Sequence, residues 1–487
     1  MRQYPKAEVG SFIETVIRLA ISGVWMPFLL AVICSSALAE NWPTYRHDNR
    51  RSGVSGEVLR APLRKAWVYS SPSRPQPAWP GPAKWDAYAG LKGLKSMRNF
   101  DPVFHATVAE NSVYFGSSVD DAAHCLDIAT GEERWVFFTD GPVRLPPTYD
   151  KGRVYFGSDD GCAYCVDALK GTLIWKYRAC EEDRFVPSDT KLISLWPCRT
   201  GVLVAEDKAY FAGSLVPWNA SYLCAVNAQT GNDDGAGLYR SVQRGLTIQG
   251  AMLASPTRLY ISQGRQSPII CDRERGTVVG SIGKSGDGGV FALLADDNTL
   301  IHGQGQNHRA GGELRSFDAQ TKDYIATFPA ATSMVATKTM AYMLTADGLS
   351  AFNRVRYLSL NRQKNALLAR QGQIGKQLKG LGDNAKGAEG KKLPEELEKI
   401  RGNLKKLESQ MPGCFTWTVE CSYPHGLILA GDMLFTGGND SVAAFGMKSG
   451  ELLWEATVAG RAHGLVAANG CLLVSTDTGN IYCFVAK

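Results

Sequence analysis

Histidine and arginine residues recur at matching positions along this 487-residue sequence. Three histidines stand nine residues, and three arginines eleven residues, before the same point of a repeated apolar run. These residues are His105, His425, His463, Arg144, Arg199 and Arg461. Imidazole and guanidinium groups bind carboxylates and phosphates through charge-assisted hydrogen bonds, and three imidazoles can also hold a metal ion. A purely structural role, in which each ring bonds a neighbouring backbone group, remains open beside a site for an anionic ligand, and no metal ligand is predicted.

Cysteines are the second group of residues with possible chemistry. Cys180 with Cys198 and Cys414 with Cys421 are candidate disulfides, since each pair closes a short loop. Cys125, Cys165 and Cys483 share one repeat position and are expected to be small packing residues of the core. The sequence shows no motif for nucleophilic catalysis, no phosphate-binding loop and no dinucleotide fold, so no catalytic residue is predicted.

The elements that position these residues form an internal repeat. The run Val-Tyr-Phe-Gly-Ser at 113–117 recurs at 154–158, and Cys-x-Asp at 125–127 recurs at 165–167. Equivalent positions can be aligned eight times, with a basic step near 40 residues. The aligned residues are Tyr114, Tyr155, Tyr210, Tyr260, Ile301, Tyr342, Leu434 and Leu472.

Each unit has four short β-rich runs separated by turn residues, and a tryptophan stands in the fourth run of the clearest units. Four strands in about 40 residues are typical of one blade of a propeller. The sequence therefore predicts an all-β, eight-bladed β-propeller with four-stranded blades. The last unit lacks its fourth strand, and residues 63–68 carry an isolated strand with Trp67, so the N-terminal strand is expected to close the last blade.

The pattern Cys-x-Asp-x-x-Thr-Gly-x-x-x-Trp at 125–135 resembles the tryptophan-docking repeat of the pyrroloquinoline-quinone (PQQ) propeller family. The resemblance covers nearly all of residues 40–487 and implies the propeller fold. The family includes quinoprotein alcohol dehydrogenases and the BamB-like propeller lipoproteins of outer-membrane assembly, so it implies no single function.

A helical insertion interrupts the sixth blade between residues 355 and 411. The apolar residues of its second half have heptad spacing, and Pro394 with two following glutamates favours a helix start there. These apolar residues are Leu393, Leu397, Ile400, Leu404, Leu407 and Met411. Leu360, Leu367, Ile374, Leu378 and Leu381 fit a preceding helix, and a glycine-rich stretch from Gly380 to Gly390 separates the halves. The insertion is expected to be an antiparallel coiled-coil hairpin.

Residues 1–39 combine basic residues, an apolar run and Ala37-Leu38-Ala39, which is typical of a signal peptide, although a retained anchor remains an alternative. The expected location is periplasmic or secreted, with no integral membrane domain after cleavage. Within 355–411 there are 13 Lys and Arg against 6 Asp and Glu, and this excess accounts for the formal net charge of +6. The remainder is near neutral, which argues against nucleic-acid binding.

Two long connections, residues 70–104 and 180–198, precede first strands of blades and are expected to form the rim of a central funnel. The favoured function is a binding or scaffolding module of the cell envelope, with protein or envelope partners at the rim loops and the helical hairpin. The alternative is a PQQ- and calcium-dependent alcohol dehydrogenase. The sequence lacks the Cys-Cys dipeptide that the resemblance implies for such enzymes, so no cofactor is assigned.

Overall fold

The computed structural model describes residues 40–80, 98–188, 190–264, 266–283, 288–303, 312–381 and 388–487. The predicted signal peptide lies outside the described residues. The fold is all-β apart from one helical insertion, and its strands form six four-stranded sheets, one two-stranded hairpin and one eight-stranded sheet within those ranges. Successive strands pair antiparallel inside every four-stranded sheet.

The four-stranded sheets are numbered here in chain order. Sheet 1 contains β3 (Ala106–Ala109), β4 (Ser112–Ser117), β5 (Ala122–Asp127) and β6 (Glu133–Phe138). Sheet 2 contains β7 (Thr148–Asp150), β8 (Arg153–Gly157), β9 (Cys162–Asp167) and β10 (Leu173–Arg178). Sheet 3 contains β13 (Leu203–Ala205), β14 (Lys208–Gly213), β15 (Ser221–Asn227) and β16 (Tyr239–Gln243). Sheet 4 contains β17 (Leu253–Ala254), β18 (Arg258–Gln263), β19 (Gln266–Asp272) and β20 (Val278–Ser281).

Sheet 5 contains β21 (Phe291–Leu294), β22 (Thr299–Gly303), β23 (Glu313–Asp318) and β24 (Tyr324–Pro329). Sheet 6 contains β25 (Ala331–Ala336), β26 (Met340–Thr345), β27 (Gly348–Asn353) and β28 (Phe415–Glu420). The two-stranded hairpin, β11 (Phe185–Ser188) and β12 (Lys191–Ser194), lies in the connection between sheets 2 and 3.

The eight-stranded sheet combines the last two repeat units because one long strand runs through both. It contains β29 (Gly426–Ala430), β30 (Met433–Gly437), β31 (Asn439–Gly446), β32 (Leu452–Ala468), β33 (Cys471–Thr476) and β34 (Asn480–Ala486). Two N-terminal strands, β1 (Val54–Ser55) and β2 (Leu63–Ser70), form its edges. β2 pairs antiparallel with β34, with Trp67 opposite Cys483, and so supplies the fourth strand that the last unit lacks.

The hydrophobic core is divided into layers between neighbouring sheets. One layer joins Tyr114 of sheet 1 to Phe156 of sheet 2, and equivalent layers follow between the later sheets. The largest layer contains Phe435 and Leu472 of the eight-stranded sheet together with Phe115 of sheet 1. Most residues of second and third strands are buried because these strands have a neighbouring sheet on each face, whereas most residues of fourth strands such as β6 are exposed or half-buried.

Where a fourth strand carries a tryptophan, its ring connects that sheet to the next one. The Trp135 indole donates to the carbonyl of Ala168 over 3.0 Å, and its ring covers Gly171 in sheet 2. Trp67 and Trp175 dock in the same way on Gly131 and Gly231. Only glycine fits there, since its φ is positive and a Cβ at Gly171 would stand 2.6 Å from the Trp135 ring.

Two helices, α1 (Arg354–Leu381) and α2 (Ala388–Gln410), lie between β27 and β28. Ion pairs join Lys364 to Glu408 and Arg370 to Glu396, so residue numbers rise in α1 as they fall in α2 and the helices are antiparallel. Residues 382–387 of the glycine-rich stretch lie outside the described part. The predicted start at Pro394 is wrong: α2 begins six residues earlier, because proline lacks only its own N–H donor and a helix can extend past it at some cost.

Replacing Gly171 by alanine is expected to destabilise the protein by about 2 to 4 kcal/mol, because the methyl group meets the Trp135 ring and alanine disfavours a positive φ. Gly152 is the matched control, since it has φ +76° with no atom within 4 Å of an added Cβ, and its replacement should cost only about 1 kcal/mol. Thermal denaturation of the two variants measures the difference. Equal midpoints for both would contradict the docking role of the glycine.

Candidate functional site

The three predicted histidines lie together at the start of neighbouring first strands. The His425 and His463 rings are 4.6 Å apart between centroids, and both side chains are half-buried. A Cβ added at Gly464, next to His463, would stand 3.3 Å from Nδ1 of His105. The common register of the sequence repeat therefore brings together residues that are 358 positions apart in the chain.

The residues around this histidine group are polar on one side and aromatic on the other. His425 Nε2 and the Asn439 side-chain oxygen are 2.8 Å apart. The His105 ring packs edge-on against Tyr45, with 5.2 Å between centroids. Burial lowers the pKa of His105 to about 4, although a hydrogen bond with the Phe100 backbone acts in the opposite direction and raises this pKa. His105 is therefore neutral at pH 7.

The three predicted arginines do not form one group with the histidines. Arg461 is paired with Asn439 across β31 and β32, and its exposed side chain is 3.8 Å from Asp477. Arg144 and Arg199 are instead buried around a single carboxylate, Asp159, which is fully buried itself.

Asp159 binds both guanidinium groups through short hydrogen bonds. Arg144 Nε donates over 2.6 Å, and Arg199 donates through Nε over 2.8 Å and through Nη2 over 2.7 Å. Burial alone would raise the pKa of Asp159, but the two arginines outweigh burial and hold this pKa below its usual range. A second carboxylate, Asp101, accepts from Arg144 over 2.9 Å.

The long connection before sheet 1 closes over this charged group. Arg144 also donates to the Gln76 carbonyl over 2.6 Å, and the Ala78 amide donates to Asp101 over 2.8 Å. The Trp79 ring lies 5.7 Å from the Arg199 guanidinium and 4.9 Å from that of Arg98, on the scale of cation–π contacts. These contacts use the arginines to hold the protein's own loop.

Sequence reasoning missed the carboxylates and the tryptophan of this group. Asp159 stands in an Asp-Asp-Gly turn, and Asp101 lies at the end of a proline- and tryptophan-rich connection, so neither has a repeat position that marks it as a partner. The matching register of Arg144 and Arg199 was the available signal, since two buried arginines in one register require a buried counter-charge.

Neither predicted disulfide is present, since all four cysteines are buried free thiols. Cys414 and Cys421 stand at opposite ends of the six-residue strand β28, which places their Cα atoms roughly 20 Å apart, well beyond the limit of about 7 Å for a bridge. The Cys198 thiol packs on Gly157 of sheet 2, whereas Cys180 lies beside Tyr222 of sheet 3. Within the described ranges no group of three or more His, Cys, Asp or Glu side chains is placed to hold a metal ion.

Comparison with known proteins agrees with this architecture. A family model described as outer membrane protein assembly factor BamB matches residues 83–322. The crystal structure of BamB from Moraxella catarrhalis is 13% identical, with 87% of this chain and 99% of that chain covered at a TM-score of 0.49. Quinohemoprotein alcohol dehydrogenase ADHIIG from Pseudomonas putida HK5 is 11% identical, with 91% and 80% covered at a TM-score of 0.54. No curated protein sequence matches this chain.

The repeated four-stranded sheets and the family match define a propeller module of the all-β class. The prediction of PQQ-type repeats is confirmed, and the narrower likeness is to BamB. The dehydrogenase, at 11% identity, shares the fold alone.

Replacing Asp159 by asparagine is expected to destabilise the protein by about 3 to 5 kcal/mol, because two buried guanidinium groups lose their shared counter-charge. Asp183, an exposed partner of Arg178, is the control, and its replacement by asparagine should cost about 0 to 1 kcal/mol. Chemical denaturation of both variants gives the comparison. A loss below 1 kcal/mol for Asp159→Asn would argue against an ionised aspartate at this position.

The pH dependence of stability tests the burial of His105. Its folded pKa of about 4 lies below the unfolded value near 6.5, so its neutral form contributes stability that is complete above pH 6.5 and is lost as the pH falls toward 4. His105→Gln should therefore lose less stability than the wild type over that interval. Melting temperatures of the two proteins at half-unit steps of pH provide the measurement, and parallel curves would exclude the shift.

Proposed function

We propose that this propeller is an extracytoplasmic binding module rather than a quinone-dependent enzyme, and that it presents its loops and its helical hairpin to protein partners of the cell envelope. The observation that carries the proposal is that the loop at Gln76 and Trp79 already occupies the buried arginines Arg144 and Arg199. Arg144 binds both Asp159 and Asp101, Arg199 binds Asp159 through two nitrogens, and the Trp79 ring lies over Arg199. A cofactor would have to displace these contacts.

We also infer that the sheets form a closed ring of eight blades. The pairing of β2 with β34 supports this inference, as does the core layer shared by the eight-stranded sheet and sheet 1. A closed ring leaves no exposed inner edge between the first and last units. It also accounts for the meeting of His105 with the Gly464 region.

The comparison with a dehydrogenase favours the binding module on chemical grounds. The resemblance implies a vicinal cysteine pair and a carboxylate-rich calcium site for the alcohol-oxidising members, and the sequence has no Cys-Cys dipeptide. The carboxylates next to Arg144 in the described chain are bound to guanidinium groups, which are poor neighbours for a divalent cation.

The helical hairpin is the second surface offered to partners. Lys392, Lys399 and Lys406 are exposed at seven-residue spacing on α2, which places them along one side of the helix. Ion pairs occupy Glu396, Glu398 and Glu408. The exposed Glu395 lies between Lys392 and Lys399 on this side, so the three lysines and one glutamate leave a net charge of +2. An acidic protein surface is the partner that this charge fits.

The location follows the predicted signal segment and the family description, which names an outer membrane assembly factor. In the described part of the chain, no helix is both long and apolar enough to cross a bilayer.

A small anionic ligand is a second candidate for binding. It is supported by the half-buried pair His425 and His463 and by the exposed Arg461, which stands two residues before His463.

Incubation of the purified protein with PQQ and calcium tests the choice between module and enzyme. We expect no cofactor absorbance to remain after gel filtration and no dye-linked oxidation of alcohols. The reason is that Arg144 and Arg199 already bind Asp159, Asp101 and the loop at Gln76 and Trp79. Retention of the quinone together with alcohol oxidation would overturn the proposal. A known quinoprotein treated in parallel controls for cofactor quality.

Partner capture from an envelope extract tests the hairpin. A variant with residues 355–411 replaced by a short turn should lose the partners that bind the hairpin, and a triple Lys392, Lys399 and Lys406 to Gln variant should lose those that need its charge. Lys151→Gln, which changes an exposed lysine of the β7–β8 turn, is the control. Unchanged capture by both hairpin variants would remove the hairpin as a docking surface.

A further inference from the structure

Residues 41–57, called the axial segment below, bind the free edge of one first strand after another. Trp42 exchanges two backbone hydrogen bonds with Val108 of sheet 1, of 2.7 and 2.9 Å. Carbonyl groups of the axial segment then accept from amides of sheets 2, 4 and 5 and from β29. The pairs are Tyr149 with Pro43 at 2.7 Å, and Ala254 with Asn49, Leu294 with Arg50 and Leu429 with Gly53 at 2.9 Å each.

Side chains of the axial segment reach the first-strand regions of further sheets. Asn49 donates to the Val204 carbonyl of sheet 3 over 2.7 Å. Arg46 Nη2 donates to the Met334 carbonyl of sheet 6 over 2.9 Å, and Arg51 Nε donates to the Met252 carbonyl, next to β17, over 2.9 Å. The axial segment thus satisfies backbone groups beside the first strands of all six four-stranded sheets and of β29.

Bonds to the sheets and bonds within the segment together hold the axial segment in a compact, turn-rich conformation, in which the Arg51 amide donates to the Asp48 carbonyl and the Gly53 amide to the Arg46 carbonyl. Arg46, His47 and Arg51 have φ of 52°, 80° and 59°, in the left-handed region that residues with a Cβ disfavour. Trp42 and Arg51 are 1% and 3% exposed, as for core residues. Burial lowers the pKa of Arg51 to about 10, yet four neutral acceptors hold its guanidinium in place.

We propose that the space between the first strands is a peptide-binding site, and that the axial segment occupies it as a ligand supplied by the same chain. First strands present amides and carbonyls at their inner edges that have no partner within their own sheets, and a turn-rich peptide with arginines at the positions of Arg46 and Arg51 satisfies them. A peptide fits this site because backbone groups at five positions between Trp42 and Gly53 bond the first strands. This inference does not depend on the proposed function.

The axial segment also packs against the histidine group. Tyr45 packs against His105, and Arg46 lies 5.1 Å from the ring of Phe291.

A cleavable variant of the full chain tests the proposal after folding is complete. A specific protease site inserted after Arg60, an exposed residue, separates the axial segment from the sheets without removing it. We expect the cut peptide to remain with the sheets in gel filtration, and the melting temperature of the cut protein to rise with added synthetic peptide of residues 40–58, since binding to the folded state stabilises it.

Peptide variants distinguish specific binding at this site from non-specific binding. The Arg51→Ala peptide should bind at least tenfold more weakly than the wild-type peptide, because the buried Arg51 side chain donates to the Met252 carbonyl and also holds the peptide's own turn through Thr44, Tyr45 and Asp48. The Arg50→Ala peptide is the control, since the Arg50 side chain is 43% exposed and makes only a surface pair with Asp296. Release of the cut peptide with a melting temperature that does not respond to added peptide would overturn the proposal, as would equal affinity of the two variants.

Discussion

The structure depends on how the inner edges of its sheets are satisfied. Each four-stranded sheet ends on a first strand whose outer neighbour is the second strand and whose inner edge has no partner in the same sheet. An unpaired amide or carbonyl that is buried away from water costs free energy. A fold that brings several such edges together must fill the space between them, and here the axial segment provides the partners from within the chain.

The same constraint explains why apolar and polar contacts between sheets differ in their pattern. Apolar layers hold neighbouring sheets face to face and recur from one pair of sheets to the next. A docked tryptophan reinforces the layer where the fourth strand carries one. Polar contacts near the inner edges do not repeat, since each first strand meets a different residue. Asp159 with its two arginines is the strongest example: the carboxylate binds Arg144 and Arg199, and Arg144 in turn donates to the Gln76 carbonyl of the long loop.

The repeating part of the fold could be predicted from the sequence, and the part without repetition could not. All eight aligned residues, from Tyr114 to Leu472, lie in the second strand of their units, because a local alternation of apolar and turn residues specifies a strand. The proximity of His425 and His463 could also be predicted, because each stands nine residues before the aligned position of its unit. Asp101 and Asp159 are 58 residues apart with no shared pattern. Both disulfide predictions rested on sequence distance, and for Cys414 and Cys421 the intervening strand β28 holds the two residues apart.

The axial segment also has a consequence for the order of events during synthesis. Its partners extend from Val108 to Leu429, and the Glu57 carboxylate accepts from the amide of Gly470 in the last unit. The residues that leave the ribosome early thus find their final partners only when the last strands exist. Contacts of such long sequence separation form slowly. Until then the N-terminal region has to stay extended and soluble, which the polar composition of residues 44–52 allows.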